Sequence, residues 1–353
     1  MVMLEKLKKD IDRELAYFLP YANKKHGLDR ASGLLYAGIK DFLRRKGKKI
    51  RPLLFLISYL GYTKRKSFSR KKLLRSALSL ELMHDFFLAH DDVIDDSAIR
   101  RGKPTLHKVF NKKLGLPGKS KTGPDLSIVA GDAMFALAID ALLSSDETPA
   151  RKEEALKLLA EAAVSTAAGE FLDVTSGMES VDRISRKSIF LTYTLKTAKY
   201  TFECPLVMGA VLAGADRKEI KKLSKLGILL GQAFQIYDDL LDVFSTSKKI
   251  GKPVLSDLDE SKKTLLVWSA YSKLDKSGRK TLKNLMEKKK KTYTDLTKFR
   301  KLVITTGALD HCLDTISGLL DKTDPLLRSL KMKKGHKKAL KVLSQKLFSG
   351  MDT

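Results

Sequence analysis

Apolar residues along this chain recur at intervals of three and four positions. Leu53, Ile57 and Leu60 follow this spacing early in the chain, and Leu226 and Leu230 repeat it later. Such spacing puts apolar side chains on one face of an α-helix, whereas a half-buried strand would alternate at every second residue. Sustained alternation rich in Val, Ile and Thr is hard to find in the sequence. The pattern therefore predicts an all-α protein.

The proline positions leave room for long helices. Pro253 and Pro325 are separated by 71 residues without another proline. Proline is excluded from helix interiors, so helices can run uninterrupted through such a window. Breaks rich in Gly, Pro and Ser, such as residues 102–124, are short and are followed by further amphipathic segments. We expect residues 1–353 to form one domain, with no separate second domain.

The charge balance of the chain is strongly basic. Of 353 residues, 43 % are apolar, which suffices for a sizeable core, and 68 Lys and Arg against 41 Asp and Glu give a net charge of +27. Lysines scattered over helix faces, around a site that handles anions, explain most of this excess. No nucleic-acid-binding signature is present, so we expect no nucleic-acid partner. Peripheral contact with a membrane surface stays open as a hypothesis.

The cysteines and the hydropathy indicate the compartment. Cys204 and Cys312 are 108 positions apart, which offers neither a disulfide scaffold nor a zinc ribbon. Residues 1–20 are too charged for a signal peptide. The longest uncharged apolar stretch, 204–215, has 12 residues, short of the roughly 20 that span a bilayer. We expect a cytoplasmic protein without a transmembrane segment.

An acidic motif ends one strongly apolar helical segment. Asp91, Asp92 and Asp95 have the spacing i, i+1, i+4, so the carboxylates of Asp91 and Asp95 share a helix face. Like charges this close need compensation, and oxygen ligands without His or Cys favour Mg²⁺. A solvated helix end is the alternative for a single such motif.

A second copy of the same spacing weakens that alternative. Asp238, Asp239 and Asp242 repeat it on another apolar segment, 147 positions after the first motif. Carboxylates converging from two such helices would hold several Mg²⁺ ions, which suits a ligand with many anionic oxygens such as a diphosphate. Lys48 with Arg51, and Arg100 with Arg101, supply matching cationic pairs, since Arg binds phosphate bidentately and Lys as a point charge.

Taken together, these motifs resemble those of the trans-isoprenyl diphosphate synthases, the polyprenyl synthetase family. Residues 84–95 with 100–107 resemble their first aspartate-rich motif, and residues 231–242 resemble the second. Further family signatures are matched in the right order at residues 47–52, 130–132, 196–198 and 251–264. The resemblance implies a single antiparallel helical bundle around a central cavity and a homodimer. It also implies condensation of isopentenyl diphosphate with an allylic diphosphate, with three Mg²⁺ ions when diphosphate is bound.

The resemblance also assigns roles to individual residues. The implied metal ligands are Asp91, Asp92, Asp95, Asp238, Asp239 and Asp242. The implied residues for the allylic diphosphate are Arg100, Lys196, Lys252 and Lys262, and those for isopentenyl diphosphate are Lys48, Arg51, His84 and Arg101. Lys196 (through its carbonyl), Thr197 and Gln235 are implied to stabilise the allylic carbocation. For Thr197 and Gln235, ordinary hydrogen bonding within the helices is the alternative.

Two aromatic residues indicate the length of the product. Phe86 and Phe87 precede Asp91 by five and four positions, about one helical turn, roughly 5.4 Å, deeper than the metal site. In the resembling family, paired aromatics there imply a fifteen-carbon product, farnesyl diphosphate, and a smaller residue at one of them would favour twenty carbons. The two rings would then form a floor that stops the growing prenyl chain. Alternatively, both rings pack in the core and another part of the protein forms this floor.

We therefore expect a short-chain prenyltransferase that extends dimethylallyl and geranyl diphosphate to farnesyl diphosphate. A geranylgeranyl diphosphate synthase is the alternative. A class I terpene cyclase is a weaker one, because such cyclases usually carry a second metal motif of the Asn/Ser/Glu type.

Overall fold

The computed structural model describes residues 2–245, 260–288 and 290–349. These residues form two compact units, which are treated separately below. The first unit comprises Met1–Leu159, Pro205–Asp216 and Met332–Leu340, and the second comprises Ala160–Cys204, Arg217–Lys331 and Lys341–Thr353.

Helices account for nearly all regular structure in the described part of the chain, which confirms the all-α prediction. Up to residue 178 the elements are α1 (Val2–His26), α2 (Leu28–Ala31), α3 (Gly33–Leu43), α4 (Ile50–Tyr62), α5 (Arg70–Ile94), β1 (Ile99–Arg100), β2 (Lys103–Pro104), α6 (Leu106–Lys113), α7 (Thr122–Leu143) and α8 (Pro149–Met178). The later elements are a 3₁₀ turn (Val181–Arg183), α9 (Arg186–Thr192), a π-helical segment (Tyr193–Glu203), α10 (Cys204–Ala213), α11 (Arg217–Phe244), α12 (Leu265–Lys273), α13 (Lys276–Glu287), α14 (Tyr293–Thr305), α15 (Ala308–Ser329) and α16 (Lys334–Leu347).

Helix α5 is the central element of the first unit. It packs against α1, α4 and α7, so its middle turns are buried on several sides. Leu78, Leu80 and Leu82 are fully buried although they do not share one face. The Ser69 hydroxyl accepts a hydrogen bond from the Lys72 amide at 3.3 Å and so begins the helix. A core helix apolar on most sides results, with the acidic motif at its C-terminal end.

Helix α7 also packs against α5, and it is long and apolar. Among the described helices it alone has the length and composition that would allow it to cross a membrane. It carries Asp125, Asp132 and Asp140, and it packs against α6 as well as α5. In its most apolar 18-residue window, 44 % of the residues are buried, so packing against α5 and α6 accounts for part of its apolar character.

The second unit is organised around the π-helical segment and α11. The Cys204 amide donates to the Lys199 carbonyl, five residues back, and Pro205 has no amide to continue an α-helical ladder. Gly231 of α11 lies against Ala198, where a Cβ would come within 2.3 Å of the Ala198 Cα. Gly169 of α8 approaches Lys196 equally closely, with 2.3 Å from a Cβ to the Lys196 amide nitrogen. Only glycine permits these approaches, which hold Lys196 and Thr197 between two helices.

Candidate active site

The first acidic motif occupies the C-terminal end of α5. Asp91 and Asp92 lie in its last turn, and Asp95 caps it. A helix C-terminus carries partial negative charge, so carboxylates there are unfavourable without a positive partner. The guanidinium of Arg100 supplies one, 2.8 Å from Asp91 Oδ2 and 2.6 Å from Asp92 Oδ1.

Asp92 is the buried member of this motif. Its side chain has no exposed surface, and its Oδ2 atom has no hydrogen-bond partner. Burial raises the pKa of Asp92 to about 6, although Arg100 opposes the shift. A divalent cation would compensate both the burial and the orphaned oxygen. The motif therefore fits Mg²⁺, which prefers carboxylate oxygens.

A short hairpin sends two neighbouring arginines to different carboxylates. Its strands pair Ile99 with Pro104 and Arg100 with Lys103, and the turn residues Arg101 and Gly102 both have positive φ, 55° and 72°. Two-residue turns of this kind match the twist of the strands, but the left-handed conformation costs a non-glycine residue about 1 kcal/mol or more. Arg101 bears that cost while Arg100 stays in the strand.

Arg101 reaches a buried cluster of charges on α5, about two to three turns before Asp91. Its Nη1 atom is 3.3 Å from Asp85 Oδ1, and its Nη2 atom is 4.0 Å from Glu81 Oε1. Lys49 Nζ donates to the same Glu81 oxygen at 2.8 Å. The Arg101 guanidinium also lies against Gly47, where a Cβ would be 3.5 Å from its Cζ. Arg101, one of the residues predicted for isopentenyl diphosphate, thus lies beside a pair of buried carboxylates.

The cations of this cluster change the ionisation of its other members. Burial lowers the pKa of His84 well below its ordinary value, and Arg51 and Arg101 lower it further, so the imidazole is neutral. Arg51 is buried, whereas Lys48 is exposed. Of the four residues predicted for isopentenyl diphosphate, the structure brings Arg51, His84 and Arg101 to this cluster.

The sequence analysis missed Lys49, Glu81 and Asp85 as members of this cluster. A signal for the two acids was present, because Glu81 and Asp85 repeat the i, i+4 spacing of Asp91 and Asp95 on the same apolar helix. Lys49 lies within the family signature at residues 47–52 but was given no role, and its burial is a consequence of the tertiary fold.

The two aromatic residues proposed as a floor are half-buried on α5. The rings of Phe86 and Phe87 have centroids 4.8 Å apart, and Phe86 is 5.1 Å from Phe135 of α7 and 4.6 Å from His90. Gly131 of α7 lies close to Phe86, where a Cβ would be 3.5 Å from the ring. Phe86 therefore belongs to an aromatic cluster between α5 and α7, about one turn from Asp91.

The second acidic motif lies in the last turns of α11 in the second unit. Asp239 and Asp242 are buried. The Tyr193 hydroxyl donates to Asp239 Oδ2, and Gln235 Nε2 donates to Asp239 Oδ1 at 2.8 Å. Burial raises the pKa of Tyr193 well above its ordinary value, and Asp239 adds to the shift, so this hydroxyl keeps its proton. The structure thus adds Tyr193, which the sequence analysis did not identify.

A chain of hydrogen bonds continues from this motif to the π-helical segment. Thr197 Oγ1 donates to Gln235 Oε1 at 2.5 Å, so both ends of the Gln235 amide are engaged. The Tyr193 oxygen also accepts from the Leu265 amide at 2.9 Å. The side chains of Thr197, Gln235 and Asp239 therefore form a continuous chain of hydrogen bonds, which fixes their orientation.

Lys196 is held by two carboxylates of α8. Its Nζ atom is 2.9 Å from Glu170 Oε2 and 2.6 Å from Asp173 Oδ2. Lys262, another residue predicted for the allylic diphosphate, pairs with Glu260 at 2.6 Å. Lys252 was also predicted and lies outside the described residues. Asp173 is a partner that the sequence analysis did not anticipate.

Comparisons with known proteins find a matching family model and similar proteins over most of the chain. The family model described as Polyprenyl synthetase matches residues 33–303. The short chain isoprenyl diphosphate synthase of Methanocaldococcus jannaschii is 32 % identical over 82 % of this chain and 79 % of that protein. The geranylgeranyl diphosphate synthase of Saccharolobus solfataricus is 30 % identical over 85 % of each chain. The geranylgeranyl pyrophosphate synthase structure from Corynebacterium glutamicum, solved with isoprenyl diphosphate and magnesium, has a TM-score of 0.89 and 27 % identity, with 98 % of each chain covered.

Proposed function

Because the chain belongs to the polyprenyl synthetase family and is a prenyltransferase, we propose that its main product is geranylgeranyl diphosphate. The enzyme adds isopentenyl diphosphate to an allylic diphosphate until the chain has twenty carbons. The observation that supports this product is the likeness, over most of the chain, to proteins described as geranylgeranyl diphosphate synthases. The farnesyl product expected from the sequence has less support from these relatives.

The family depends on Mg²⁺, and the two acidic motifs are the proposed ligands. Bound Mg²⁺ would neutralise the charge that develops on the diphosphate as it leaves. Asp91, Asp92 and Asp95 provide one set of oxygens, and Asp238, Asp239 and Asp242 provide the other. We propose that three ions are held when diphosphate is bound, as the resemblance implies.

Cationic side chains bind the two substrates. Arg100, Lys196, Lys252 and Lys262 are the proposed residues for the allylic diphosphate. Lys48, Arg51, His84 and Arg101 are the proposed residues for isopentenyl diphosphate. Arg100 is already oriented by Asp91 and Asp92, and Lys196 by Glu170 and Asp173, so little side-chain entropy is lost when substrate arrives.

The reaction breaks the allylic carbon–oxygen bond, and the electron pair leaves with the diphosphate. The double bond of isopentenyl diphosphate then attacks the cation, and the released diphosphate accepts the proton that is lost. Thr197, Gln235 and the Lys196 carbonyl stabilise the cation with dipoles. Their oxygens are weak nucleophiles, so they lower the energy of the cation without trapping it. The hydrogen bonds on both ends of the Gln235 amide fix its orientation for this task.

A farnesyl diphosphate synthase is the second candidate, and one observation favours it. Phe86 and Phe87 lie about one turn from Asp91 and form an aromatic cluster with Phe135. If the growing chain runs along α5 from Asp91, two rings at this depth would stop it at fifteen carbons. The two candidates share the same chemistry and differ only in the end point of elongation.

The test is elongation with labelled isopentenyl diphosphate and dimethylallyl, geranyl or farnesyl diphosphate, with and without Mg²⁺. After phosphatase treatment, geranylgeraniol from every primer supports the main proposal, and farnesol as the end point supports the second candidate. Release of diphosphate from the primer without elongation would favour a terpene cyclase.

The aromatic floor is tested in the same assay. Phe86→Ala and Phe87→Ala should lengthen the product if these rings limit it, while Tyr17→Ala, which removes an exposed ring on α1, should leave the products unchanged. An unchanged product pattern in both phenylalanine variants would discard the floor.

We also propose a homodimer that acts in the cytoplasm. The part of α8 in the second unit exposes Val164, Phe171 and Met178, whose exposed fractions are 71 %, 70 % and 85 %. Their seven-residue spacing lines them up along one helix face, as in a helix–helix interface. Phe171→Glu should shift the mass measured by analytical ultracentrifugation from dimer to monomer. A wild-type chain that is monomeric at micromolar concentration would exclude this proposal.

A further inference from the structure

Asp85 is a buried carboxylate that the reaction proposed above does not use. Its side chain has no exposed surface, and neither of its oxygens has a hydrogen-bond partner. A buried acid in this state is costly, so its presence calls for an explanation. Arg101 forms an ion pair with it, with 3.3 Å between Nη1 and Oδ1.

The groups that face Asp85 come from three elements. Lys49 and Arg51 lie at the start of α4, Glu81 and His84 lie on α5 itself, and Arg101 comes from the hairpin turn. His84 is neutral, and Glu81 is ionised because Lys49 and Arg101 hold its pKa below the ordinary value although burial opposes them. The cluster therefore holds three cations and one fixed anion. Asp85 decides whether a second anion is present.

We propose that Asp85 is a positioning residue whose proton controls the affinity of Arg101 for isopentenyl diphosphate. This inference rests on the proposed function, because it takes Arg101 to be a ligand of that substrate. When Asp85 is ionised, it attracts the Arg101 guanidinium and cancels part of the positive charge. When Asp85 is protonated, Arg101 is released toward a diphosphate and the cluster gains one net positive charge.

The protonation of Asp85 sets the direction in which the affinity for isopentenyl diphosphate changes with pH. Burial raises the pKa of Asp85 to about 7, and Arg101 opposes the shift. The protonated form, which favours substrate, is therefore present below about pH 7 and is lost above it. An arriving diphosphate favours the protonated form further, so binding takes up a proton from solvent. The KM for isopentenyl diphosphate should rise as the pH increases through 7.

The experiment compares the wild type with Asp85→Asn and Asp140→Asn between pH 6 and pH 9. Asn is isosteric and mimics the protonated acid, whereas Asp140 is a surface residue paired with Lys25 and serves as the matched control. In the wild type and in Asp140→Asn, the KM for isopentenyl diphosphate should rise about tenfold across this range, given the separation of the charges in a medium of intermediate dielectric. In Asp85→Asn it should stay near its low-pH value. The KM for the allylic diphosphate and kcat should follow the control.

Two further measurements guard against a purely structural effect. Asp85→Ala removes the same charge by a different side chain and should also be flat with pH. Calorimetric titration with isopentenyl diphosphate at pH 7, in buffers of different ionisation enthalpy, should detect proton uptake by the wild type that Asp85→Asn lacks.

The outcomes distinguish a failure of the role inferred for Asp85 from a failure of the proposed function. A wild-type pH dependence retained in Asp85→Asn and Asp85→Ala, or equal changes in both KM values, would overturn the role of Asp85. If the wild type elongates no primer, the proposed function fails, and the calorimetric titration still decides the inference. Absence of isopentenyl diphosphate binding in that titration would overturn the inference as well.

Discussion

Helix α5 carries two acidic pairs with the same four-residue spacing and different environments. Glu81 and Asp85 lie in the buried part of the helix, with Lys49 and Arg101 beside them. Asp91 and Asp95 lie at its C-terminal end and are half-buried, with Arg100 bound to Asp91. The two neighbouring arginines of one hairpin thus serve one pair each.

The difference shows that spacing places carboxylates on one face but does not decide what compensates them. In the interior, compensation must come from the protein, because a buried charge without a partner is costly. At the helix end, the carboxylates remain accessible to ligands from solvent, so a metal ion can share the compensation with Arg100. The interior pair is therefore compensated by cations of the protein, and the terminal pair is suited to hold divalent cations.

The largest expected effect comes from the terminal pair. Asp91→Asn and Asp95→Asn should each lower kcat by about 10³-fold or more, equivalent to about 4 kcal/mol, because each removes an anionic metal ligand. Stability should change little, since negative charge at a helix C-terminus is not favourable to begin with. Steady-state turnover at saturating Mg²⁺ and thermal unfolding measure the two quantities. Retention of more than a tenth of wild-type kcat would contradict a metal role for the pair.

Substitution in the interior pair should mainly lower the stability of the fold. Glu81→Gln leaves the Lys49 ammonium buried without its ionised partner, so we expect a loss of about 3–5 kcal/mol in the free energy of unfolding. Urea denaturation measures it. The control is Glu153→Gln, which removes a solvent-exposed pair with Lys157 at the same helical spacing and should cause no measurable loss. Equal stability of the two variants would show that the Lys49–Glu81 pair contributes nothing.

This comparison also shows what the sequence could predict. The all-α fold followed from three- and four-residue periodicity, because such periodicity is a local property of each helix. Both acidic motifs were recognisable because their members are close in sequence. The partners Lys49 and Arg101 of Glu81 were not predictable from spacing, since they come from 32 positions earlier and 20 later and meet it only in the fold.

The second unit shows the same limit. Tyr193 donates a hydrogen bond to Asp239, which lies 46 positions later in the sequence. It belongs to a π-helical segment that the spacing of apolar residues does not predict. Gln235 was identified by resemblance, but its orientation depends on Thr197, which lies 38 positions away. Residue types within one motif could therefore be predicted, whereas the hydrogen bonds that orient them depend on tertiary contacts.

Replacing Arg100 or Arg101 by lysine should change different kinetic constants, because each arginine contacts a different acidic pair. Arg100→Lys loses the contacts to two carboxylates, and we expect about a tenfold lower kcat/KM for the allylic diphosphate, about 1.4 kcal/mol. Arg101→Lys should instead raise the KM for isopentenyl diphosphate by a similar factor and leave the allylic KM unchanged. Initial rates with each substrate varied in turn provide both constants. The same constant altered in both variants would mean that the hairpin acts as one unit.

The smallest effect is expected from a carboxylate directly beside the terminal pair. Asp96 follows Asp95 in sequence, but its side chain is 84 % exposed and pairs with Lys108 at 2.8 Å on the surface. Its φ is 45°, a left-handed conformation that Asn adopts at least as readily as Asp, so Asp96→Asn adds no backbone strain. We expect less than a twofold change in kcat and no measurable change in thermal unfolding, since exposed ion pairs contribute little. A loss of activity comparable to that of Asp95→Asn would place Asp96 among the metal ligands, and the boundary between reactive and solvated carboxylates would then lie beyond the end of α5.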